Sequence, residues 1–181
     1  MDRKIVWNAA ARSGLVLGAV SVVYFLVNIL LGKLPDTKAA NVIANVAGIL
    51  LWVAKFAACI WLFKSFMLRF ASGNSDASNS DTFRFGRATA FLSALVYSAF
   101  FLAWVTLIDP NMFADSLSAA TQAYEGVFTE AQMDSLEEMA PRLPAVAFFT
   151  NLVYCYLFGV VLSAIFSRNI PPRNPFQGAQ Q

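Results

Sequence analysis

Most of the chemistry this chain can be expected to do rests on one lysine. Lys55 interrupts an apolar run, Ala39 to Phe63, that is otherwise suited to crossing a bilayer. It lies eight residues from the inner end of that run, or ~12 Å at 1.5 Å per residue. An ionisable side chain at such depth is costly, so it is a functional hypothesis by default. Reckoned by depth along the other apolar runs, Ser21, Tyr24, Ser93, Tyr97, Tyr154 and Cys155 come to a comparable level. None of these is acidic, so Lys55 has no counter-charge within the membrane part of its own chain. Three readings stay open. The ammonium snorkels toward water or bonds tyrosine hydroxyls and carbonyls; it meets the phosphate of a lipid or polyprenyl carrier; or it pairs with an acid on a partner subunit.

Other chemistry finds little support. The chain has no histidine, so the commonest acid–base catalyst and metal ligand is missing. No phosphate-cradling glycine loop and no paired-cysteine metal spacing occurs, and neither a metal nor a cofactor is expected. Asp115, Glu125, Glu130, Asp134, Glu137 and Glu138 are spaced as a solvated helix face, not as carboxylates converging on a buried point. A serine–lysine dyad of Lys55 with Ser21 or Ser93 is conceivable, but nothing marks either serine as a nucleophile. Cys59 and Cys155 fall inside apolar runs, where they act as small packing residues with no disulfide expected between them. The expectation is a protein that is not an enzyme.

The elements that must position Lys55 follow from composition. The chain has 181 residues, of which 58% are hydrophobic and 13% charged, too apolar for an ordinary soluble domain. Four apolar runs, about 13–32, 39–63, 88–108 and 145–166, are each long enough for a hydrocarbon core of ~30 Å. The fold class expected is therefore an all-α integral membrane protein, a single domain of four transmembrane helices. The first run is too long for a cleavable signal and lacks a small-x-small site after it, so it reads as a retained span.

Each run carries a polar or small-residue seam. Gly14 and Gly18 open the first, and Ser21, Tyr24 and Asn28 continue the same face. Such small residues let helices approach closely in lipid, which favours packing within the protein over dimerisation. Asn41, Asn45, Gly48, Trp52, Lys55 and Cys59 step by three and four along the second run. Val42, Val46, Leu50, Val53 and Ile60 occupy its other side and suit lipid, which turns Lys55 inward. Gly86, Ala90, Ser93, Tyr97, Phe100 and Trp104 mark the third run; Ala147, Asn151, Cys155, Gly159 and Ser163 mark the fourth. Lys55, Tyr24 and Tyr97 are the expected contacts of a lipid phosphate or partner, with Asn28, Asn41, Asn45 and Asn151 as the polar seam.

Between the spans, Ala71 to Asp81 is rich in turn formers and reads as a mobile loop. Phe83 and Phe85 are expected at the membrane interface, and the second helix is expected to run on to Phe70. Asp109-Pro110 stops the third helix. Beyond it, Phe113, Leu117, Ala120, Tyr124 and Val127 recur at helical spacing in a polar, acidic segment, so a short amphipathic helix is expected. Thr129 with Gln132 resembles a capping box opening a second one, with Met133 and Leu136 on its apolar side. Pro141 and Pro144 break that helix before the last span. The tail, Ile170 to Phe176, is expected to be extended and exposed.

Charge sets the threading. With both termini inside, Arg3, Lys4, Arg12, Lys64, Arg69, Arg84, Arg87, Arg168 and Arg173 face the cytoplasm, against Lys33, Lys38 and Arg142 outside. The positive-inside bias therefore predicts an N-in, C-in protein.

The order of these features resembles the domain-of-unknown-function family 4199. The resemblance rests on Gly14 and Gly18 in the first helix, Phe85-Gly86-x-Ala88 entering the third and Pro110 closing it. It continues through the acidic stretch before Pro144 and the Gly159-x-x-Leu162-Ser163 ending, and so covers nearly the whole chain. It implies a four-helix protein of the bacterial inner membrane, common in Bacteroidota, encoded near polyprenyl-phosphate glycosyltransferases. The family carries no established activity or site residues to transfer. Two functions are expected: an accessory subunit of an envelope assembly, in contact with membrane lipids and a membrane protein such as a glycosyltransferase, or a small transporter or lipid-binding module with a cavity around Lys55. No nucleic-acid partner is expected.

Overall fold

The computed structural model describes residues 3–33, 37–74, 77–123 and 138–170. The regular secondary structure among these residues is all helical: α1 (Arg3–Gly32), α2 (Lys38–Gly73), α3 (Asn79–Ala103), α4 (Met112–Ala123) and α5 (Leu143–Asn169). A π-helical turn, Trp104–Ile108, prolongs α3, and a 3₁₀ turn, Ala140–Arg142, precedes α5. Four of these helices are long and apolar enough to cross a membrane. Large apolar side chains such as Leu15, Val46, Leu50, Val153, Leu157 and Val161 stand exposed on their outer faces. In water such a belt would be an aggregation surface; in lipid it is the expected solvent-facing side.

α3 is the central post, packed along its length between α1 and α5. The glycines explain how closely. A β-carbon built on Gly14 would lie 2.8 Å from Leu92 Cβ, and one on Gly18 would lie 2.7 Å from Val96 Cβ. On the other flank, a β-carbon on Gly86 would meet Ser163, and one on Gly159 would overlap Ala90. Each position admits a neighbouring backbone only because it lacks a side chain, as small residues do between helices in lipid. The glycine step of α1 is thus spent inside the protein.

α2 is attached unevenly. It meets α1 more than it meets α3 or α5. At the end of the bundle where α1 begins and α5 finishes, Phe63, Met67, Phe70 and Ala71 of α2 are buried with Val6, Ala10, Ala77, Phe85 and Ile170. Phe70 stacks flat on Phe85 with centroids 4.3 Å apart. We refer to this as the basic end, since Arg3, Lys4, Arg12, Lys64, Arg69, Arg84, Arg87 and Arg168 are exposed around it.

This end corrects several expectations. α1 and α3 extend beyond the apolar runs, to Arg3 and Asn79, while α2 passes Phe70 as expected and ends at Gly73. The expected loop from Ala71 to Asp81 shrinks accordingly, because a capping box starts α3 early. The Asp81 N–H donates to Ser78 Oγ (3.2 Å), while the Ser78 N–H and hydroxyl donate to Asp81 Oδ2 (3.2 and 2.8 Å). Ala77 is buried and Asn74 donates to the Phe70 carbonyl, so both flanks of the turn are held. Phe85 is not interfacial: it is 1% exposed, because Phe70 covers its ring. Ile170 is 5% exposed and belongs to this core, not to an exposed tail; the rest of the tail lies outside the described residues.

At the opposite end, Asp109 stops the third span as expected, after its N–H closes the wide turn on the Trp104 carbonyl. Phe25 of α1 anchors this region against Phe100, Phe101 and Trp104. α4 is the amphipathic helix expected after Pro110, and Phe113 packs edge-on to Phe101. The side chain of Ala120, with Tyr124, Val127 and the Thr129 to Leu136 segment, lies outside the described residues.

Candidate functional site

Halfway along α2 the basic-end core gives way to a cavity of about 290 Å³, walled by all four spans. α1 contributes Leu17 and Ser21; α3 contributes Ala90, Ser93, Ala94 and Tyr97; α5 contributes Asn151, Tyr154, Cys155 and Gly159. Lys55 enters from α2 between Trp52 and Cys59. Of the six residues placed at the depth of Lys55 from the sequence, Ser21, Ser93, Tyr97, Tyr154 and Cys155 do line this cavity. The sixth, Tyr24, presents its ring to the lysine.

The ammonium is held by aromatic faces. Lys55 Nζ lies 4.8 Å from the Tyr24 ring centre and 5.6 Å from that of Tyr97. Both distances fall within the ~6 Å reach of a cation–π contact, which gains strength where the ion is desolvated. None of the described carboxylates, Asp81, Asp109, Asp115 and Glu138, lines the cavity. The ion pair of Arg84 with Asp81, at 3.9 Å, sits at the basic end. Ring faces lower the cost of desolvating a cation but do not neutralise it, and the described lining of the cavity holds no carboxylate to do so.

Two free thiols share these walls. Cys59 is within hydrogen-bonding reach of Ser21, and both Cys59 and Cys155 lie close enough to Lys55 to interact with its charge. Ser21 and Ser93 therefore do share a compartment with the lysine. No cluster of metal-ligating side chains occurs among the described residues.

The four asparagines do not form one seam. Asn151 lines the Lys55 cavity. Asn28 and Asn45 instead line a second void of about 490 Å³ between the parts of α1 and α2 remote from the basic end, with Tyr24, Gly48 and Trp52. Asn41 is exposed near the start of α2 and faces neither. The reason is that α2 is closely covered only from about Lys55 toward the basic end. A β-carbon on Gly48 would meet nothing within 4 Å, unlike those on the tightly packed glycines.

Sequence reasoning missed the aromatic wall that closes the cavity between α2 and α5. Phe56 meets Phe158 edge-on at 5.5 Å, and Trp52 leans on Phe56 at 4.7 Å. Neither phenylalanine stood out, because each lies in an unbroken apolar run where lipid-facing and inward-facing rings look alike. Trp52 and Tyr154 border the cavity yet are 51% and 63% exposed, so they mark where it meets the outside.

No curated protein and no solved structure matches the chain significantly. Residues 12–168, which contain the whole cavity, match the sequence profile of the family described as protein of unknown function (DUF4199), and the chain belongs to that family.

Proposed function

We propose that this membrane protein is a non-enzymatic module that holds the phosphate of an anionic lipid at Lys55. The carrying observation is a half-buried cation, cradled by Tyr24 and Tyr97, in a cavity without a described acid to neutralise it. A phosphate accepts hydrogen bonds from an ammonium, tyrosine and serine hydroxyls and an asparagine amide, all of which the cavity borders supply. At about 290 Å³ the cavity sits at the lower limit of small-molecule sites, ~300 Å³, so it suits a headgroup and not a whole lipid. The hydrocarbon then stays in the bilayer, beside the exposed Trp52 and Tyr154. A polyprenyl phosphate, toward which the family resemblance points, belongs to this ligand class. The lack of histidine supports a binding role over catalysis.

The same cation supports a second reading, an accessory subunit of an envelope assembly whose partner inserts an acid beside Lys55. In either case the basic end lies in the cytoplasm of a bacterium and the spans cross its inner membrane, a reading supported by the positive-inside bias.

Purification in a gentle detergent, followed by mass spectrometry of bound lipid and protein, tests both. Phosphate-bearing lipid on the wild type and its loss from Lys55→Leu is the expected result. A stoichiometric protein partner lost from the same variant transfers the proposal to the second reading. Identical lipid and protein content in the two preparations overturns both.

A further inference from the structure

We propose that the groove between the outer parts of α1 and α2 is the path by which a lipid headgroup reaches Lys55. This rests on the phosphate-binding reading above and adds a route and a side to it. The groove and the Lys55 cavity are neighbours: Trp52 lines both, and Tyr24 lines the groove while facing the Lys55 ammonium. The groove begins beside Gly32, at the end of α1, and descends past Asn28, Asn45 and Gly48. From Asn45 to Lys55 is ten residues, or ~15 Å along the helix.

Three features suit it to a headgroup. First, its glycines stand open: a β-carbon on Gly32 or Gly48, as on Gly73 at the far end of α2, would meet nothing within 4 Å, whereas Gly14, Gly18, Gly86 and Gly159 are in close contact. Second, it offers amides within two helices suited to crossing a membrane. Asn45 is exposed and has no hydrogen-bond partner among the described residues, and the Asn28 amide donates only to the Tyr24 carbonyl of its own helix (2.8 Å). An uncompensated amide facing hydrocarbon is unfavourable, and a passing phosphate or glycerol oxygen would accept its hydrogen bond. Third, the path ends at a cation and goes no further, because Phe63, Met67, Phe70 and Phe85 fill the bundle toward the basic end. A headgroup can thus slide down the groove with its tails in the surrounding lipid and stop at Lys55. The groove approaches Lys55 from the end opposite the basic core. The occupant is a membrane lipid and not free phosphate, since the groove flanks apolar residues such as Leu31 and Ile49.

The full chain in phosphatidylcholine nanodiscs, exposed for set times to vesicles containing phosphatidic acid and then analysed by native mass spectrometry, tests the route. Gly48→Phe places a ring in open space within the groove, far from Lys55. It should melt no lower than the wild type and slow phosphatidic acid uptake by about tenfold or more, the effect of a barrier raised by ~1.4 kcal/mol. Asn45→Leu, which substitutes an exposed side chain and cannot crowd the bundle, should slow uptake in the same direction and keeps the test open should Gly48→Phe misfold. Wild-type uptake rates in Asn45→Leu and in a folded Gly48→Phe overturn the route while leaving the Lys55 site standing. Equal retention of phosphatidic acid by wild type and Lys55→Leu overturns the site reading itself. Competition by inorganic phosphate as effective as that by phosphatidic acid overturns the assignment to a lipid.

Discussion

Replacing Gly159 and Gly48 separately with alanine sets one substitution against two environments. A β-carbon at Gly159 overlaps Ala90 Cβ and lies 3.3 Å from Ala90 Cα. Neither atom is the end of a flexible side chain, so relief requires α3 and α5 to part by a distance on the order of 1 Å. Such a gap forfeits roughly a quarter to a half of each dispersion contact it opens. Overpacking of this kind costs ~1–3 kcal/mol, against which alanine returns up to ~1 kcal/mol of helix propensity. The net expectation is a loss of about 1–2 kcal/mol. For a chain of this length that lowers the melting temperature by roughly 2–8 °C. At Gly48 nothing lies within 4 Å, so only the propensity acts, and alanine should stabilise by ~0.5–1 kcal/mol. Tryptophan-fluorescence melts in detergent, checked by denaturant titration of helical circular dichroism, measure both. A Gly159→Ala protein as stable as wild type, or a Gly48→Ala protein losing as much as Gly159→Ala, would refute the claim that α3–α5 is close-packed and outer α2 is not.

Phe85→Ala removes a ring that is stacked on Phe70 and almost wholly buried, so a loss of about 3–5 kcal/mol is expected, read as poor recovery or a collapsed melting transition. An undiminished melting temperature would return Phe85 to the membrane interface. Ser78→Ala deletes the acceptor of the Asp81 N–H and should cost ~0.5–2 kcal/mol, with faster hydrogen exchange confined to the first turn of α3. Tyr24→Leu together with Tyr97→Leu strips the ring faces from Lys55; a fall in retained lipid phosphate is expected by mass spectrometry, and unchanged retention would remove the tyrosines from the site. Impermeant maleimide applied to intact cells should label a cysteine introduced at Asn111 and spare one at Ser80, and the reverse pattern would invert the proposed threading.

How much of this protein the sequence reveals varies along its length. The four spans were legible because hydropathy over twenty residues is a local property, and lipid demands it of any helix that crosses. The inward turn of Lys55 was legible too, since one helical period fixes which residues share its face. Its companions Ser21, Ser93, Tyr97, Tyr154 and Cys155 could be found by depth alone, because straight antiparallel helices keep a common scale along their axes.

The termini of the helices at the basic end were not legible, because polar residues there read as loop. Their helical state is set by a capping box and by Phe70 meeting Phe85, a contact between residues on two different helices. The fate of the asparagines was also beyond the sequence. Their spacing puts Asn45 and Lys55 on one face of α2, but whether a neighbour covers that face depends on where α1 and α5 stand. Tertiary packing closes the lower part of that face around Lys55 and leaves the upper part open at Gly48. Local chemistry thus determined that a cation would lie within the membrane and face inward. Only the packing of α1, α3 and α5 on one another, with α2 held firmly at one end, decided that it would stand in a cavity next to an open groove.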